Sequence, residues 1–175
     1  MSGPRVVCVC RSERRRTRKQ QVSEGMLIQN WGLEGDAHAG RWHRQVSLLG
    51  DESYEMARKL WHLDVSHGGF AENLTTRRID LKSLPVGTRL EVAAEALLEV
   101  TQIGKKCHNG CEIMQLTGKC VFPEEGVCSG LGSSAQATRF EFCVPPDRGR
   151  CPRTEPASGP RRVSWSAAGG PGSRG

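Results

Sequence analysis

The segment Arg89-Leu-Glu-Val-Ala-Ala-Glu-Ala-Leu-Leu-Glu-Val-Thr-Gln-Ile103 contains two β-prone runs, 89–92 and 96–103, on either side of a short turn. This arrangement predicts an antiparallel hairpin. Further strand candidates are the short apolar runs at 5–10, 25–28 and 45–49. Many short strands with Gly-rich joints predict a mainly β (α+β), barrel-like domain rather than a doubly wound α/β sheet.

One helix is predicted directly after the run at 45–49. Asp51 can cap its N-terminus, and the helix then extends to about residue 62. A partly apolar face is supplied by Tyr54, Met56, Ala57, Leu60 and Trp61.

The composition changes abruptly after residue 127. Residues 128–175 contain no Ile, no Lys and a single Leu, and they are dominated by Gly, Pro, Ser and Arg. Such a segment buries too little apolar surface to offset its ordering entropy. We therefore expect one folded domain over residues 1–127 and a disordered segment over 128–175, in which 139–144 is the one further strand candidate.

The formal net charge of +6 favours anionic partners such as a phosphorylated cofactor. No apolar run approaches the roughly 20 residues that cross a bilayer, and the opening run at 6–10 is too short for a secretory signal. We expect a cytoplasmic protein without membrane association, whose eight cysteines are mainly reduced. The basic run at 14–19 lacks the interleaved aromatic residues of a single-strand binder, so nucleic acid is not an expected partner.

The main chemical candidate follows the hairpin as Gly104-Lys-Lys-Cys107-His-Asn-Gly-Cys111. Three interpretations of its two thiols are open. Lys105 and Lys106 would lower the pKa of a reactive thiol. The pair could instead be half of a zinc site, completed by Cys120, His38 or His43. Both thiols could also be small apolar fillers, which is the interpretation given to Cys8 and Cys10 in the first strand candidate.

Two upstream clusters carry further polar groups. Asp36 and His38 are two residues apart, so an extended backbone places them on one face. The alternative is a polar turn with a hydrogen-bonded Asp–His pair. The segment Asn73-Leu-Thr75-Thr-Arg77-Arg78 offers amide, hydroxyl and guanidinium groups that can bind a phosphate. Its alternative is a loop followed by a solvated charge pair.

Taken together, these segments resemble the MOSC domain, a module found at the C-terminus of molybdenum cofactor sulfurases and in small free-standing proteins. The matching motifs are Gly32-Leu-Glu-Gly-Asp-Ala-His-Ala-Gly40, Phe70-Ala-Glu-Asn-Leu-Thr-Thr76, Leu84-Pro-Val-Gly-Thr-Arg-Leu90 and Val100-Thr-Gln-Ile-Gly-Lys-Lys-Cys-His-Asn-Gly-Cys111. The resemblance covers about residues 5–127. It implies a barrel-like β fold with a functional cysteine in the loop after the hairpin.

The resemblance also implies roles for individual residues. Cys111 occupies the family's cysteine position as the catalytic thiol, and it would be the ligand if molybdenum is bound. Cys107 would be a second thiol, typical of a free-standing subgroup. Asp36 and His38 would shape the floor of the site. Hydrogen bonds to the cofactor would come from Asn73 and Thr75. The anionic cofactor would suit the cations Lys105, Lys106, Arg77, Arg18 and Lys19.

The implied function is binding of molybdenum cofactor, or carriage of sulfur for metal–sulfur chemistry, through a reactive cysteine. Enzyme activity stays open between sulfurase-type sulfur transfer and molybdenum-dependent oxidoreduction. One alternative is a reductase of N-hydroxylated compounds that takes electrons from a redox partner, and another is a non-enzymatic zinc-binding module. Expected partners are a cysteine desulfurase or a molybdenum cofactor enzyme. Pyridoxal phosphate belongs to the fused family enzymes and is not expected here.

The chain departs from the family pattern after residue 127. Similar proteins continue with a helix and a closing strand, whereas this chain reads Cys128-Ser-Gly-Leu-Gly-Ser-Ser134. We hypothesise that residues 128–175 are a frameshift product or a substituted tail. The domain would then lack its last helix and strand, and the barrel would not close at its C-terminal end.

Overall fold

The computed structural model describes residues 3–92, 96–106, 111–131, 137–141 and 164–166. The strands are β1 (Arg5–Arg11), β2 (Gln20–Val22), β3 (Glu24–Ile28), β4 (Gly32–Leu33), β5 (Val46–Gly50), β6 (Leu74–Arg77), β7 (Arg89–Val92), β8 (Ala96–Ile103), β9 (Val127–Leu131), β10 (Ala137–Glu141) and β11 (Ser164–Ser166). The helices are α1 (Asp51–Trp61), α2 (Glu112–Thr117), α3 (Phe122–Glu125) and a 3-10 turn at Leu81–Ser83.

Most strands belong to one curled sheet. Its strand order is β11-β7-β8-β9-β5-β6-β1-β2, and β10, β3 and β4 form a smaller sheet. A single apolar core joins Val9 of β1, Val46 of β5 and Leu98 of β8, all of them buried. Because strands from distant positions in the order share this core, the sheet curls into a half barrel. The predicted mainly β, barrel-like fold is confirmed, with three α-helices in the described ranges where one or two were expected.

The predicted hairpin is confirmed as β7 and β8, which pair antiparallel with Leu90 opposite Leu98. Along β8 the buried residues are Ala96, Leu98 and Val100. This spacing of two follows from the alternation of side chains across a strand, so one face enters the core.

The predicted helix at 51–62 is confirmed as α1, but the predicted cap is wrong. Gly50 occupies the N-cap position without a side-chain hydrogen bond. The Asp51 carboxylate instead binds His67 and Arg77, so it is not available to the helix backbone. The predicted apolar face includes the buried Tyr54 and Ala57 and the partly buried Met56 and Trp61, while Leu60 is exposed. None of the helices in the described ranges combines the length and apolarity that crossing a membrane requires.

The predicted domain boundary after residue 127 falls inside β9. This strand pairs with both β5 and β8, which places it in the middle of the sheet. Its residues Val127, Cys128 and Ser129 are buried. Most of the segment 132–175 lies outside the described residues, so its interpretation as a disordered or frameshifted tail stays a prediction.

A tight connection after β8 fixes where the chain leaves the sheet. Gly104 has φ +62, and its N–H donates to the Gly126 carbonyl at 2.7 Å. A Cβ atom on Gly104 would lie 2.3 Å from the Pro123 carbonyl oxygen, far inside contact distance. The following N–H, that of Lys105, donates to the same carbonyl at 3.1 Å. The direction of the loop that carries Lys105 and Lys106 is therefore set by the backbone of α3.

We predict that Gly104→Ala destabilises the domain more than Gly118→Ala does. Both glycines have left-handed backbone, with φ +62 and +69, so each alanine costs about 1–2 kcal/mol of backbone strain. Gly118 has open space around it, whereas Gly104 meets backbone, which adds about 1–3 kcal/mol of overpacking. Urea unfolding of the two variants measures the difference. Equal losses would mean that the Gly104 contact is not tight.

Candidate functional site

A cavity of about 280 Å³ opens where four loops meet the start of α2. These loops follow β1, β4, α1 and β8, and each supplies at least two lining residues. The floor is partly apolar and includes Phe70, Ile113 and Phe122. This volume lies near the lower end of the ~300–1,000 Å³ typical of small-molecule sites.

The charged side chains among the described lining residues are all positive. Its five cationic side chains are Arg15, Arg16, Arg44, Lys105 and Lys106. No Asp or Glu occurs among the lining residues that the structure describes. A concave surface of this kind concentrates anions, because the low-dielectric walls focus the positive potential.

Cys111 presents its thiol at the wall of this cavity, as a half-buried residue. It is the N-cap of α2, and its Sγ accepts a hydrogen bond from the Met114 N–H at 3.5 Å. That contact orients the sulfur at the start of α2. The second predicted thiol, Cys107, lies outside the described residues.

Lys105 and Lys106, two of the predicted cofactor-binding residues, both line the cavity. The Lys105 ammonium lies 4.5 Å from the ring centre of Phe122, which holds it over the floor. Lys106 is exposed at the rim.

Arg44 and Trp42 form a part of the wall that the sequence did not reveal. The Arg44 guanidinium lies 4.8 Å from the centre of the Trp42 ring, and Arg15 approaches the same ring at 5.9 Å. Trp42 is held by its indole N–H, which donates to the His38 carbonyl at 2.7 Å. The Nε of Arg44 is buried and has no hydrogen-bond partner among the described residues.

Cys128 is a further thiol in the same cavity, beyond the predicted domain boundary. Burial raises the pKa of its thiol, and the charges of Lys105 and Arg44 oppose that rise. Cys120 also lines the cavity. The described cavity therefore contains three cysteines, of which only Cys111 was singled out as catalytic.

His38 reaches the cavity, but Asp36 and Lys19 lie behind it. The buried Asp36 carboxylate accepts from the Ser12 and His38 N–H groups, each at 3.0 Å, and forms a short ion pair with Lys19. The Lys19 ammonium also approaches His38 Nδ1 at 3.4 Å. Asp36 and Lys19 were predicted to contact a cofactor. They instead lie behind His38 and hold it in place.

The protonation of this pair follows from burial and proximity. Burial alone would raise the pKa of Asp36, but the His38 contact and the Lys19 charge outweigh it and hold that pKa below its usual range. Burial lowers the pKa of Lys19, although Asp36 opposes this.

Asn73 lines the cavity, yet its amide is used by the fold. Oδ1 accepts from the Ser47 N–H at 3.1 Å and from the Ser47 hydroxyl at 2.9 Å. Nδ2 donates to the Cys10 carbonyl at 3.2 Å. Its predicted role as a hydrogen-bond donor to the cofactor is therefore secondary to its role as a bridge between β1 and β5.

Besides Asp36 and Lys19, three further predicted cofactor-binding residues do not line the cavity. Thr75 is fully buried and donates to Glu72 Oε1 at 2.8 Å. Arg77 forms ion pairs with Asp51 and Glu55 at the surface of α1. Arg18 lines a different depression. The basic loop does contribute cations, but through Arg15 and Arg16 rather than Arg18 and Lys19.

The predicted zinc alternative finds no support in the described part of the chain. No three His, Cys, Asp or Glu side chains there are placed to hold a metal ion. His43, one of the proposed ligands, is exposed and approaches Gln102 Oε1 at 3.4 Å.

We predict that Asp36→Asn destabilises the fold by about 3–5 kcal/mol, because it leaves the buried Lys19 ammonium without its counter-charge. Adding Lys19→Met should recover most of the loss. The penalty of Asp36→Asn should shrink as pH falls below about 4, where the unfolded carboxyl protonates and the wild-type advantage is lost. Denaturant unfolding from pH 3 to pH 7 measures both effects.

The matched control is Asp64→Asn, which breaks the exposed pair of Asp64 with Arg58. It should cost less than about 1 kcal/mol. A similar cost for Asp36→Asn would contradict the buried ion pair.

Comparisons with known proteins give both fold and family. The structure is similar to YuaD from Bacillus subtilis, with a TM-score of 0.62 and 14% identity, over 81% of this chain and 94% of that one. It is also similar to YiiM from Geobacillus stearothermophilus, with a TM-score of 0.55 and 15% identity, over 79% of this chain and 71% of that one. YiiM from Escherichia coli gives a TM-score of 0.50 and 24% identity, over 78% of this chain. The chain spans 65% of the length of that protein.

No functionally curated protein matches the sequence. A family model for the MOSC domain matches residues 35–139, which is more than half of the 175 residues and extends past residue 127. The matched segment contains His38, Asn73, Lys105, Cys111 and Cys128, all of which line the cavity. The chain therefore belongs to the MOSC domain family.

Proposed function

We propose that this MOSC-domain protein binds molybdenum cofactor in the cavity, with the Cys111 thiolate facing the molybdenum. One observation carries the proposal: the described lining combines five cationic side chains and a half-buried thiol, and it contains no carboxylate. The cofactor is anionic through its phosphate and dithiolene, so its charge is complementary to that of the lining.

The part of the cavity wall formed by Arg44 and Trp42 supports this choice of ligand. A buried Nε without a hydrogen-bond partner is costly, and an anionic acceptor bound in the cavity would satisfy it. Cation–π contacts with Trp42, at 4.8 Å for Arg44 and 5.9 Å for Arg15, restrict both guanidinium groups before any ligand binds. The cationic wall would therefore bind with little loss of side-chain entropy.

The Cys111 thiol supports the choice of metal. Molybdenum favours soft thiolate ligands, and the Met114 N–H orients this sulfur at the cavity wall. When bound, the cofactor would supply two-electron chemistry. The chain's own residues would bind its anionic groups through Lys105 and Lys106 and would keep His38 in place through Asp36.

Sulfur carriage is the second candidate, favoured by the extra thiols. Cys120 and Cys128 line the same cavity as Cys111, so a persulfide on Cys111 would lie in an enclosed space with other thiols. Its sulfur would come from a cysteine desulfurase, and its acceptor would be a molybdenum cofactor enzyme. A redox partner is needed only if the bound cofactor reduces substrates, and no pyridoxal phosphate is expected.

We predict that the protein, purified anaerobically from a host that makes molybdenum cofactor, contains molybdenum and pterin in equal amounts. Cys111→Ser should lose most of the molybdenum while retaining its fold, because the oxygen is a harder ligand than the thiolate. Inductively coupled plasma mass spectrometry measures the metal, and fluorescence of the oxidised pterin measures the organic part.

The outcomes separate the candidates. Persulfide sulfur without metal would favour the sulfur carrier, and zinc alone would favour the binding module. Full molybdenum content in Cys111→Ser would remove that residue from the site. Cys8→Ser, a thiol change outside the cavity, is the control and should retain the metal.

We also predict that Lys106→Glu lowers the cofactor content about tenfold at low salt, as expected for a loss of roughly 1.4 kcal/mol in binding. The change replaces an attraction with a repulsion at the rim of the cavity. Lys59→Glu, an equal charge change on an exposed residue of α1, is the matched control. Equal losses for both variants would mean that only the net charge matters.

A further inference from the structure

Cys8 and Cys10 form a close thiol pair on the outer face of β1. Their sulfur atoms lie 3.6 Å apart, and both residues are buried. Val9 between them belongs to the barrel core, so the alternation along the strand directs both thiols to the opposite face. Neither cysteine belongs to an apolar cluster. Their predicted role as packing residues is therefore incomplete.

His67 and Asp51 lie next to this thiol pair and are closer to the surface than the two cysteines. His67 Nε2 lies 2.8 Å from Asp51 Oδ1, and the same ring is near enough to the Cys8 thiol for the two groups to shift each other's pKa. The ring of His67 packs against that of Tyr54, with 5.0 Å between the ring centres. A thiol pair, an imidazole and an orienting carboxylate thus lie side by side, and a neighbouring imidazole of this kind can activate a cysteine nucleophile.

The surroundings of the two thiols shift their pKa values in opposite directions. Hydrogen bonding between the two thiols lowers the pKa of Cys8, against burial, and the proximity of His67 adds to this. The pKa of Cys10 is raised by the same bond, by burial and by Glu72. The bonds to Cys8 and Asp51 raise the pKa of His67 to about 9, against burial. The charged or titratable groups facing the pair are His67, Asp51, Glu72, Lys19 and Tyr54.

We propose that Cys8 and Cys10 are a peroxide-sensitive dithiol, in which Cys8 is the nucleophile, His67 the proton donor and Cys10 the resolving thiol. The proposal does not rest on the cofactor cavity or on Cys111. The reagent is a small hydroperoxide, because the exposed fractions are only 5% for Cys8 and 0% for Cys10. Larger thiol reagents are excluded by this burial.

Oxidation of the two thiols by a hydroperoxide takes place in two steps. The Cys8 thiolate attacks one oxygen of the hydroperoxide, the O–O bond breaks, and the leaving oxygen takes a proton from the His67 imidazolium. The Cys10 thiol then loses its proton and attacks the sulfur of the Cys8 sulfenic acid, whose S–O bond breaks to release water. With hydrogen peroxide, two thiols and one peroxide yield one disulfide and two waters. The sulfur atoms must close from 3.6 Å to about 2.05 Å.

The pair lies directly behind the cofactor cavity. The Cys10 N–H donates to the Asn73 carbonyl at 2.7 Å, and the Cys10 carbonyl accepts from Asn73 Nδ2 at 3.2 Å. Asn73 is part of the cavity wall. Closure of a Cys8–Cys10 disulfide would therefore pull on that wall.

The test uses the full chain, reduced and then treated with equimolar hydrogen peroxide. After quenching, denaturing alkylation and trypsin digestion, both cysteines lie in one peptide, Val6-Val-Cys-Val-Cys-Arg11. We expect this peptide to appear as an unalkylated disulfide before the peptides 107–119 and 120–139 are oxidised. A doubly alkylated 6–11 peptide, at peroxide doses that oxidise the other two, would overturn the proposal.

Two variants and a pH profile separate the roles. Cys10→Ser should stop at a Cys8 sulfenic acid, which dimedone traps when the protein is unfolded in its presence. Between pH 7 and pH 8.5 the wild-type rate should change little, whereas an ordinary thiol would gain more than about tenfold. His67→Gln should make the rate depend more steeply on pH, and His43→Gln, a change at an exposed histidine, should not. A steep profile in the wild-type protein would contradict an activated Cys8.

Discussion

The hydrogen bonds of Asn73 connect the sheet to the cavity, and the positions of the other site residues depend on them. Its backbone N–H donates to the Ser47 carbonyl at 2.8 Å, its carbonyl accepts from Cys10, and its amide spans from Ser47 to Cys10. The side chain thus joins β5 and β1 at the start of β6, where unpaired backbone groups would otherwise be buried. The adjacent Glu72 does the same for α1, because Oε1 accepts from Tyr54, Gly68 and Thr75.

This arrangement separates the charges of the site. The carboxylates of Asp36, Glu72 and Asp51 lie behind the cavity wall, each bound by its own donors. The cations on the cavity side are left without carboxylates in the described lining. A cavity built in this way attracts an anion without first breaking an ion pair, which would cost several kcal/mol, on the order of 3–5, for a buried one. The same separation leaves Cys111 among positive groups.

The local sequence pattern was sufficient to predict part of the fold and part of the site. The β-prone run at 96–103 beside a short turn predicted β8, and Cys111, Lys105 and Lys106, which follow it in sequence, line one cavity. The sequence did not distinguish a residue that lines the cavity from one that supports it. Thr75 and Arg77 are close to Asn73 in sequence, but Thr75 is bound to the buried Glu72 and Arg77 pairs with Asp51. Arg44 and Cys128 come from distant segments that only the sheet pairing brings together.

The most direct test of cofactor binding is native mass spectrometry of the intact protein, purified anaerobically from a cell that makes molybdenum cofactor. Electrospray from non-denaturing buffer retains a tightly held anionic ligand, so the mass increment identifies what the cavity holds. The account predicts the increment of one complete molybdenum–pterin cofactor per chain, which disappears on acid denaturation. The mass of the chain alone, or of the chain with sulfur and no metal, would contradict it.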